Sequence, residues 1–403
     1  AFLNLPMPSN EEAWRRINFK EFHPEQYRLG IGITKKKDCR IPNEIISIIP
    51  SKKRSGQIVL TPSGCRCQLL DDLEKDGIVL SDLVSAKESH PHLLGKVAGR
   101  IINPSENKYA ALAGAMASQG MVLYVPKGKK ITKPFHYINW IHGNNSAFFS
   151  HVLISLEEDS QATVILEVAS PETGQNLVHS GLVEIILNPR SRLELIQIQS
   201  LSKSTWNFST EKASLAKTAE LDWIHFPMGS GTTKCFMGVD LAGEGARASL
   251  SGMYFPGSGQ HIDLDTKQNH FAPNTFSDLL FKGAVIGKGR SVWHGMIFVS
   301  QGAEKTDGYQ ANRNLILSAD AKADSIPGLE ILTDDVRCTH AATLGNIEEE
   351  PLYYLQSRGI PRKEAEGLIV NGFFEEILNR TGIRSIRSRV EKYIARKINH
   401  NEQ

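Results

Sequence analysis

Cys338 and His340 flank Thr339, and their types and spacing suit chemistry better than any other pair in this 403-residue chain. On a β-strand, the thiol and the imidazole point to the same side, because side chains alternate between the two faces. Sulfur and imidazole nitrogen are ligands that suit iron and zinc. A free cysteine is also a common small core residue, however, and a histidine is often a buried structural residue. We therefore expect this pair either to bind a metal or sulfur, or to pack.

The remaining cysteines and histidines form weaker patterns. Cys65 and Cys67 make a C-x-C motif, but a closed metal site needs about four ligands and the chain has no second cysteine pair. We expect Cys235 to be a core residue. Four histidines follow no metal-binding spacing and are expected to be structural, although His270 lies in a more distinctive stretch: His225, His261, His270 and His294.

The composition is that of a globular protein, with 40% hydrophobic residues, 22% charged residues and a net charge of +2. Five cysteines do not suggest a disulfide framework, so we expect a reducing compartment, either a cytoplasm or a plastid stroma. No apolar run approaches the roughly 20 residues of a membrane helix. Residues 380–397 hold seven basic residues and one acid without interleaved aromatics, so nucleic-acid binding is not expected.

Short β-rich segments separated by small or charged turns dominate residues 121–346. Many short strands without intervening helices indicate a sandwich, a barrel or a solenoid. The irregular spacing of similar units, the first three of which begin about 30 residues apart, favours a parallel β-helix. The clearest segments are residues 162–168, 193–198, 221–226, 248–254 and 291–299.

The two flanks have a different pattern. Residues 1–120 are mixed, with a helical stretch over 105–119, and residues 347–403 are predicted to be helical. The acidic residues at 348–350 and Pro361 fit the starts of two helices. A third, basic helix is expected from about 383 to 399. In the second helix, one apolar face is predicted to contain Ala365, Leu368, Ile369, Phe373 and Ile377.

Several stretches together resemble the SufB/SufD family, the scaffold subunits of the SUF iron–sulfur cluster assembly system. The resemblance covers roughly residues 100–380 and is specific as a set rather than in any single motif. It rests on GMVLYVPKG (120–128), NHF (269–271), FKG (281–283), GAEKTDGYQANRNLILS (302–318), DDVRCTHAAT (334–343) and YLQSRG (354–359).

The subtype is predicted from positions 321 and 341. SufB-like sequences carry a cysteine near the first and a glutamate at the second, whereas this chain has Ala321 and Ala341. Neither alanine can ligate iron or carry sulfur, and Cys338-Thr339-His340 is similar to the corresponding SufD tripeptide. We therefore interpret the chain as SufD-like, with a SufB-type scaffold that nucleates the cluster itself as the alternative.

The resemblance implies a right-handed parallel β-helix with helical flanks and a non-catalytic scaffold role. It implies pairing with SufB through the C-terminal part of the β-helix, where His340, with Cys338, would contribute to a transient iron–sulfur cluster shared between the subunits. The sequence leaves open whether FAD binds to the wider complex and whether the isolated chain forms a homodimer. The resemblance also implies that the SufC ATPase docks on the C-terminal helices, at Tyr354, Leu355, Arg358, Glu364, Ala365 and Phe373.

Two negative observations bear on enzymatic function. The chain contains neither a GxxxxGK[ST] phosphate loop nor a GxSxG elbow, so we do not expect it to hydrolyse ATP itself. A carbohydrate-active β-helix enzyme remains a remote alternative, because such enzymes need clustered carboxylates in a groove. The acidic pairs that could form such a cluster are Asp334 with Asp335, and Asp263 with Asp265.

Overall fold

The structure is a computed structural model that describes residues 2–8, 11–30, 49–172 and 176–399; Cys39 lies outside these ranges. As predicted, the fold is mainly β, a parallel β-solenoid of about eight turns with helical regions before and after it. The strands are β1 (Arg28–Leu29), β2 (Gly56–Thr61), β3 (Gly64–Leu69), β4 (Val79–Asp82), β5 (Gln119–Val125), β6 (Phe135–Trp140), β7 (Ser146–Leu156), β8 (Gln161–Ala169), β9 (Leu177–Leu187), β10 (Arg192–Ser200), β11 (Thr205–Leu215), β12 (Glu220–Pro227), β13 (Thr232–Leu241), β14 (Arg247–Tyr254), β15 (His261–His270), β16 (Phe276–Val285), β17 (Arg290–Val299), β18 (Thr306–Ile316), β19 (Lys322–Ile331) and β20 (Val336–Asn346).

From β5 onward, successive strands alternate between two sheets. Sheet A has the order β19-β17-β15-β13-β11-β9-β7-β5-β4, and sheet B has the order β20-β18-β16-β14-β12-β10-β8-β6-β2-β3. From β5 and β6 onward every neighbouring pair is parallel, whereas β4 and β3 add antiparallel strands at the start. The chain therefore winds through one strand of each sheet per coil, and each coil covers the hydrogen-bonding edge of the coil before it.

The turns from sheet A to sheet B share one backbone device. From the turn after β7 to the turn after β17, each contains a residue in the left-handed region, and these residues recur every 27 to 31 positions. The amide of each donates to a carbonyl in the next coil's turn, as Arg190 N does to Lys217 O at 3.0 Å and Thr218 N to Glu244 O at 2.9 Å. The turns thus stack as regularly as the strands. The left-handed residues are Asp159, Arg190, Thr218, Gly245, Asn274 and Lys305.

Apolar side chains from both sheets fill the interior of the solenoid. The alternation of strand side chains sends every second residue inward, which explains the sequence pattern in β8, β10 and β12. Close packing leaves no room for some side chains: a Cβ on Gly295 would lie 2.2 Å from the Trp293 ring. On the outer face of sheet A, Trp14 and Phe22 of the N-terminal segment pack against Phe208 in a separate aromatic cluster.

Four helices precede the main coils and three follow them in the described chain. None of them is both long and apolar enough to span a membrane. The early helices are α1 (Asp71–Lys75), α2 (Leu83–Ser89), α3 (Pro91–Val97) and α4 (Lys108–Met116), and the C-terminal helices are α5 (Glu349–Ser357), α6 (Arg362–Leu378) and α7 (Arg384–Asn399).

The buried face of α6 differs from the predicted one. Ala365 and Ile377 are buried as expected, but Leu368 is 48% exposed, and Val370 and Phe374 are fully buried instead. The reason is that α6 packs on both α7 and the outer face of sheet B, so the buried surface is wider than one stripe and lies to one side of it. Helical periodicity alone does not specify two packing partners.

Helix α7 lies on sheet B through an aliphatic stripe and a polar one. Its polar stripe crosses successive coils at intervals of four residues. Arg389 pairs with Glu167 at 2.5 Å and donates to Ser200 at 3.0 Å. Tyr393 donates to the Met228 carbonyl at 2.6 Å, and Lys397 bonds Gln260. The helix is therefore bound to the solenoid at several coils. Its aliphatic stripe is Ile386, Val390, Ile394 and Ile398.

The Glu167 carboxylate is completely buried. Burial alone would raise its pKa, but the interactions with His136, 3.7 Å away, and with Arg389 outweigh burial and leave the pKa lowered. A group with a lowered folded-state pKa contributes stability that is present above its unfolded pKa and is lost as the pH falls through the folded pKa. The ion pair thus attaches α7 at neutral pH and weakens in acid.

We predict that Arg389→Met lowers the free energy of unfolding by about 3–5 kcal/mol at neutral pH, because it leaves a buried carboxylate without its partner. The loss should shrink at pH 5, where the now unpaired carboxyl can bind a proton. Urea denaturation at the two pH values measures both effects.

Two variants serve as controls for this prediction. Arg396→Met, on the same helix, removes an arginine that is 70% exposed and 3.6 Å from Glu172, so the stability should hardly change. Adding Glu167→Leu to Arg389→Met should restore much of the loss. An equal loss in both single arginine variants would contradict the role of the buried pair.

Candidate functional site

Strand β20, which carries Cys338 and His340, is the last strand of sheet B. It pairs with β18 on one edge, and no described residue pairs with its other edge. Strand β19 ends sheet A in the same way, bonded to β17 alone within the described chain. The last coil therefore leaves both the hydrogen-bonding edges and the interior of the solenoid uncovered at this end.

The uncovered end exposes apolar side chains that earlier coils bury. By register, Leu329 and Ile331 continue the columns of Ile297 and Val299, which are fully buried. Leu329 is nevertheless 37% exposed and Ile331 38% exposed, and Leu344, near the start of β19, is 60% exposed. An apolar interior cut open in this way is typical of a surface that another protein covers.

Cys338 and His340 lie on the inward face of β20, at the uncovered end. In the parallel register Cys338 pairs with Gly308 and His340 with Gln310, both of which face the interior. Cys338 is half-buried and packs against Ile297, whereas His340 is exposed. The two side chains share one side of the strand and stand above the last layer of interior residues.

The surroundings of Cys338 favour the neutral thiol. Burial raises the pKa of Cys338, the Asp307 carboxylate raises it further, and the hydrogen bond with the Gly308 backbone lowers it only in part. A thiol is a metal ligand or nucleophile only as thiolate. Cys338 therefore needs a bound cation or another positive group before it can act chemically.

A histidine lies in the layer below Cys338. A Cβ built on Gly308 would be 3.4 Å from the Cys338 Sγ and 3.5 Å from the His270 Nε2, so both groups border the same glycine. His270 is fully buried, and its ring nitrogens bond Thr275 and Ser277 at 2.8 Å. Burial lowers the pKa of His270 to about 4. It is a neutral, hydrogen-bonded histidine that supports the last coils.

A network of buried amides joins β18 to β19. Asn312 donates to the Tyr254 hydroxyl at 2.9 Å, and that hydroxyl donates to the Asn314 Oδ1 at 2.9 Å. Asn314 in turn donates to the Ser325 Oγ at 2.9 Å. These asparagines come from the most distinctive sequence stretch, and the structure gives them a structural role in holding the terminal coil.

The C-terminal helices present a second exposed surface. Tyr354 is 57% exposed with Arg358 over its ring at 5.3 Å, and Glu364 is also exposed. Sequence reasoning missed two neighbours, Tyr353 at 75% exposure and Leu368 at 48%. The sequence marks these two residues only as large apolar side chains, which the structure places off the buried faces of their helices.

Three predicted docking residues are less accessible than expected. Ala365 is fully buried against the aliphatic core of the helices, so its side chain does not reach the surface. Phe373 packs beside Phe374, and its carbonyl accepts from Lys282 at 2.9 Å, which directs it toward the solenoid. Leu355 is half-buried.

The two thiols of the C-x-C motif have separate surroundings. The Cys67 thiol donates to the Leu80 carbonyl at 3.3 Å, and burial raises its pKa to about 11. Cys65 packs against the interior core, and Cys235 is buried as predicted. In the described ranges, no group of three or more His, Cys, Asp or Glu side chains is placed to hold a metal ion.

The acids considered for a carbohydrate-active site are used otherwise. Lys234, 1% exposed, pairs with Asp263 at 2.8 Å and with Asp265, and His294 bonds Asp265 at 3.1 Å. Burial raises the pKa of Asp263 to about 6. Asp334 and Asp335 are exposed in a turn. None of these pairs lines a groove.

A groove of about 520 Å³ does exist between sheet B and the connection from α6 to α7. It was not predicted, and it carries carboxylates from neighbouring coils. Asp222 pairs with Arg192 and Asp278 with Arg380, both at 3.2 Å, while Glu194 accepts from a threonine hydroxyl. The acids are thus engaged in ion pairs and hydrogen bonds that hold the groove's walls.

The fold and the uncovered end define a class of protein: a β-solenoid whose last coil offers soft metal ligands and an apolar surface. Sequence comparison gives the family. The model of the SUF system FeS cluster assembly SufBD core domain matches residues 139–373, and the SufBD protein N-terminal region matches residues 4–136. The chain therefore belongs to the SufBD family of iron–sulfur cluster assembly proteins.

Individual relatives agree with this family. The iron–sulfur cluster assembly protein SufB of Bacillus subtilis is 33% identical over 305 residues, which are 76% of this chain and 66% of the relative. A SufBD family protein of Staphylococcus aureus is 31% identical over 304 residues, 75% of this chain and 65% of the relative. The chain thus spans just under two thirds of these relatives' lengths. The SufD-like subtype stays a prediction.

We predict that Cys338 reacts slowly with iodoacetamide at pH 7 compared with an unstructured peptide of the same sequence. Its rate should keep rising beyond the pH at which the peptide's rate levels off, because the raised pKa delays thiolate formation. Mass spectrometry of the Cys338 peptide measures the rate. A rate in the folded chain equal to that in urea across the pH range would contradict this prediction.

Proposed function

We propose that this chain is a non-catalytic, SufD-like scaffold subunit of the SUF system. It pairs through its uncovered end with a SufB-type subunit and binds a SufC-type ATPase on α5 and α6. The observation that carries the proposal is the terminal coil, which places Cys338 and His340 at the mouth of an exposed apolar interior. The family supports the general role in cluster assembly.

The uncovered end supports pairing with another solenoid. Unpaired strand edges invite another chain to add its strands, and proteins usually block them. Here β19 and β20 are long, ten and eleven residues, and carry exposed Leu329 and Leu344. A second solenoid docked at this end would bury these side chains. In the absence of the SufB-type partner, a second copy of this chain is the expected occupant.

The ligand set supports a site shared between chains. Iron–sulfur clusters are usually held by four thiolates or by thiolates with histidines. The terminal coil supplies at most two ligands, Cys338 and His340, and no third candidate stands beside them in the described chain. In the proposed assembly the partner provides the remaining ligands, and the cluster is cargo that leaves when complete.

The C-terminal surface supports the docking of an ATPase. The chain has no phosphate loop of its own. Tyr353 and Tyr354 on α5 and Leu368 on α6 are exposed, and aromatic side chains of this kind often dominate the binding energy of interfaces. Movement of the docked ATPase would reach the solenoid through α6 and α7, because Arg389 and Tyr393 attach α7 at several coils.

The alternative within the family is a SufB-type scaffold that nucleates the cluster alone. Ala321 lies in the turn before β19, and Ala341 packs toward the C-terminal helices rather than toward Cys338. Neither position adds a ligand to the uncovered end. The proposal therefore assigns this chain the SufD-like role, in a reducing compartment.

We predict that His340→Ala lowers the iron and sulfide content of the anaerobically purified complex with the SufB-type and SufC-type partners by about tenfold or more. Loss of even an outer-shell partner typically costs about 10- to 100-fold in metal affinity. Co-purification measures assembly, and iron and acid-labile sulfide assays measure the cluster.

The matched control is Thr339→Val, which changes the neighbour that faces the other side of β20 and should leave the cluster intact. If His340→Ala assembles and keeps its cluster, His340 is structural and the shared-site proposal is wrong. If the wild-type chain does not bind either partner, the scaffold assignment itself is wrong.

We predict that Tyr354→Ala weakens binding of the SufC-type ATPase by roughly 30-fold, as expected for a hot-spot tyrosine worth about 2 kcal/mol. Leu368→Asp should weaken it as well, because it places a charge in an apolar contact. Isothermal titration calorimetry gives the Kd. Leu70→Asp, on a side chain 44% exposed at the other end of the solenoid, is the control and should bind normally.

A further inference from the structure

Gln310 is paired in register with His340, and one of its buried polar atoms has no hydrogen-bond partner in the described chain. Its side chain is fully buried in β18. The amide Nε2 donates to the Gly328 carbonyl at 2.9 Å, but the Oε1 accepts from no donor in the described chain. A buried amide oxygen without a donor costs about 1–3 kcal/mol, so this oxygen calls for an explanation.

The orientation of the amide is determined by its neighbours. The Gly328 carbonyl is an acceptor, so it must face the Nε2, and a flipped amide would set oxygen against oxygen. The Oε1 lies close to Gly295, where an added Cβ would be 2.5 Å away. The absence of a side chain at Gly295 leaves the space into which the oxygen projects.

The nearest residue of the next layer is His340. Gln310 and His340 are register partners on paired parallel strands, whose spacing is about 4.8 Å. The His340 side chain faces the same interior and is exposed at the uncovered end, and it makes no side-chain hydrogen bond to a described residue. The register therefore places the imidazole in the layer directly above Gln310.

We propose that Gln310 is a positioning residue for His340. Its Oε1 accepts the N–H of the neutral imidazole, which fixes one tautomer and leaves the other ring nitrogen, with its lone pair, directed out of the uncovered end. Histidines that bind metals usually donate their second ring nitrogen to such an acceptor. The biological role of this arrangement rests on the proposed scaffold function, whereas the hydrogen bond itself is a property of the chain alone.

The test reads the tautomer of His340 in the full-length chain labelled with 15N-histidine. Long-range proton–nitrogen NMR spectra distinguish the two neutral tautomers, and His340→Gln identifies the signals by their loss. The wild type should show predominantly one tautomer. Gln310→Leu should shift the ratio toward that of an unstructured histidine peptide.

Two further variants separate positioning from a general structural effect. Gln119→Leu removes another buried glutamine, 1% exposed, whose Oε1 is also without a partner in the described chain, but it lies on β5 in the first coils, so His340 should not respond. Gln310→Glu keeps a side-chain oxygen as acceptor and should restore one tautomer.

The proposal is overturned if the wild type already shows the peptide ratio, in which case water from the uncovered end satisfies Gln310. It is also overturned if Gln310→Leu leaves the tautomer unchanged or if Gln119→Leu changes it equally. These outcomes are independent of the cluster assay. A fixed tautomer together with a cluster that survives His340→Ala would leave the positioning role standing and refute the shared metal site.

Discussion

The structure depends on one repeated constraint: each coil is completed by the coil that follows it. Hydrogen bonds between neighbouring strands satisfy the backbone groups of both sheets. The left-handed turn residues extend the same stacking: the Asn274 amide, for example, donates to the Glu304 carbonyl at 2.9 Å. Such stacking does not end by itself, because the strand at either end of a parallel ladder leaves one hydrogen-bonding edge unpaired. At the start of the solenoid, β3 pairs with the edge of β2 and β4 with the edge of β5, both as antiparallel strands. At the other end nothing in the described chain does so.

The second constraint is the attachment of the C-terminal helices. An aliphatic stripe alone would allow α7 to slide along sheet B, because aliphatic contacts are not directional. The pairing of Arg389 with buried Glu167 and the Tyr393 hydrogen bonds to Met228 and Phe255 specify one register between the helix and the coils. The C-terminal helices, with the exposed tyrosines of α5, are therefore attached in a fixed position to the solenoid that carries the uncovered end.

Sequence reasoning succeeded where local physics decides. The β-rich segments predicted strands such as β8 and β10, and the small or charged turns between them indicated the coils, because both patterns arise from neighbours in sequence. It failed where two partners meet, as with Leu368, exposed because α6 packs on α7 and on sheet B together. The pairing of Gln310 with His340, thirty residues apart, depends on the length of the intervening coil, and no local pattern contains it.

The small ligand set of the terminal coil fits transient binding. A closed four-ligand site would hold a cluster tightly, whereas assembly requires release. Burial raises the pKa of Cys338, which disfavours the thiolate in the chain alone, and positive charge brought by a metal ion or a partner would favour it. His340 lies at the same uncovered end and offers a ring nitrogen beside the thiol. In the proposed assembly the partner would supply the remaining ligands, and separation of the two chains would dismantle the site.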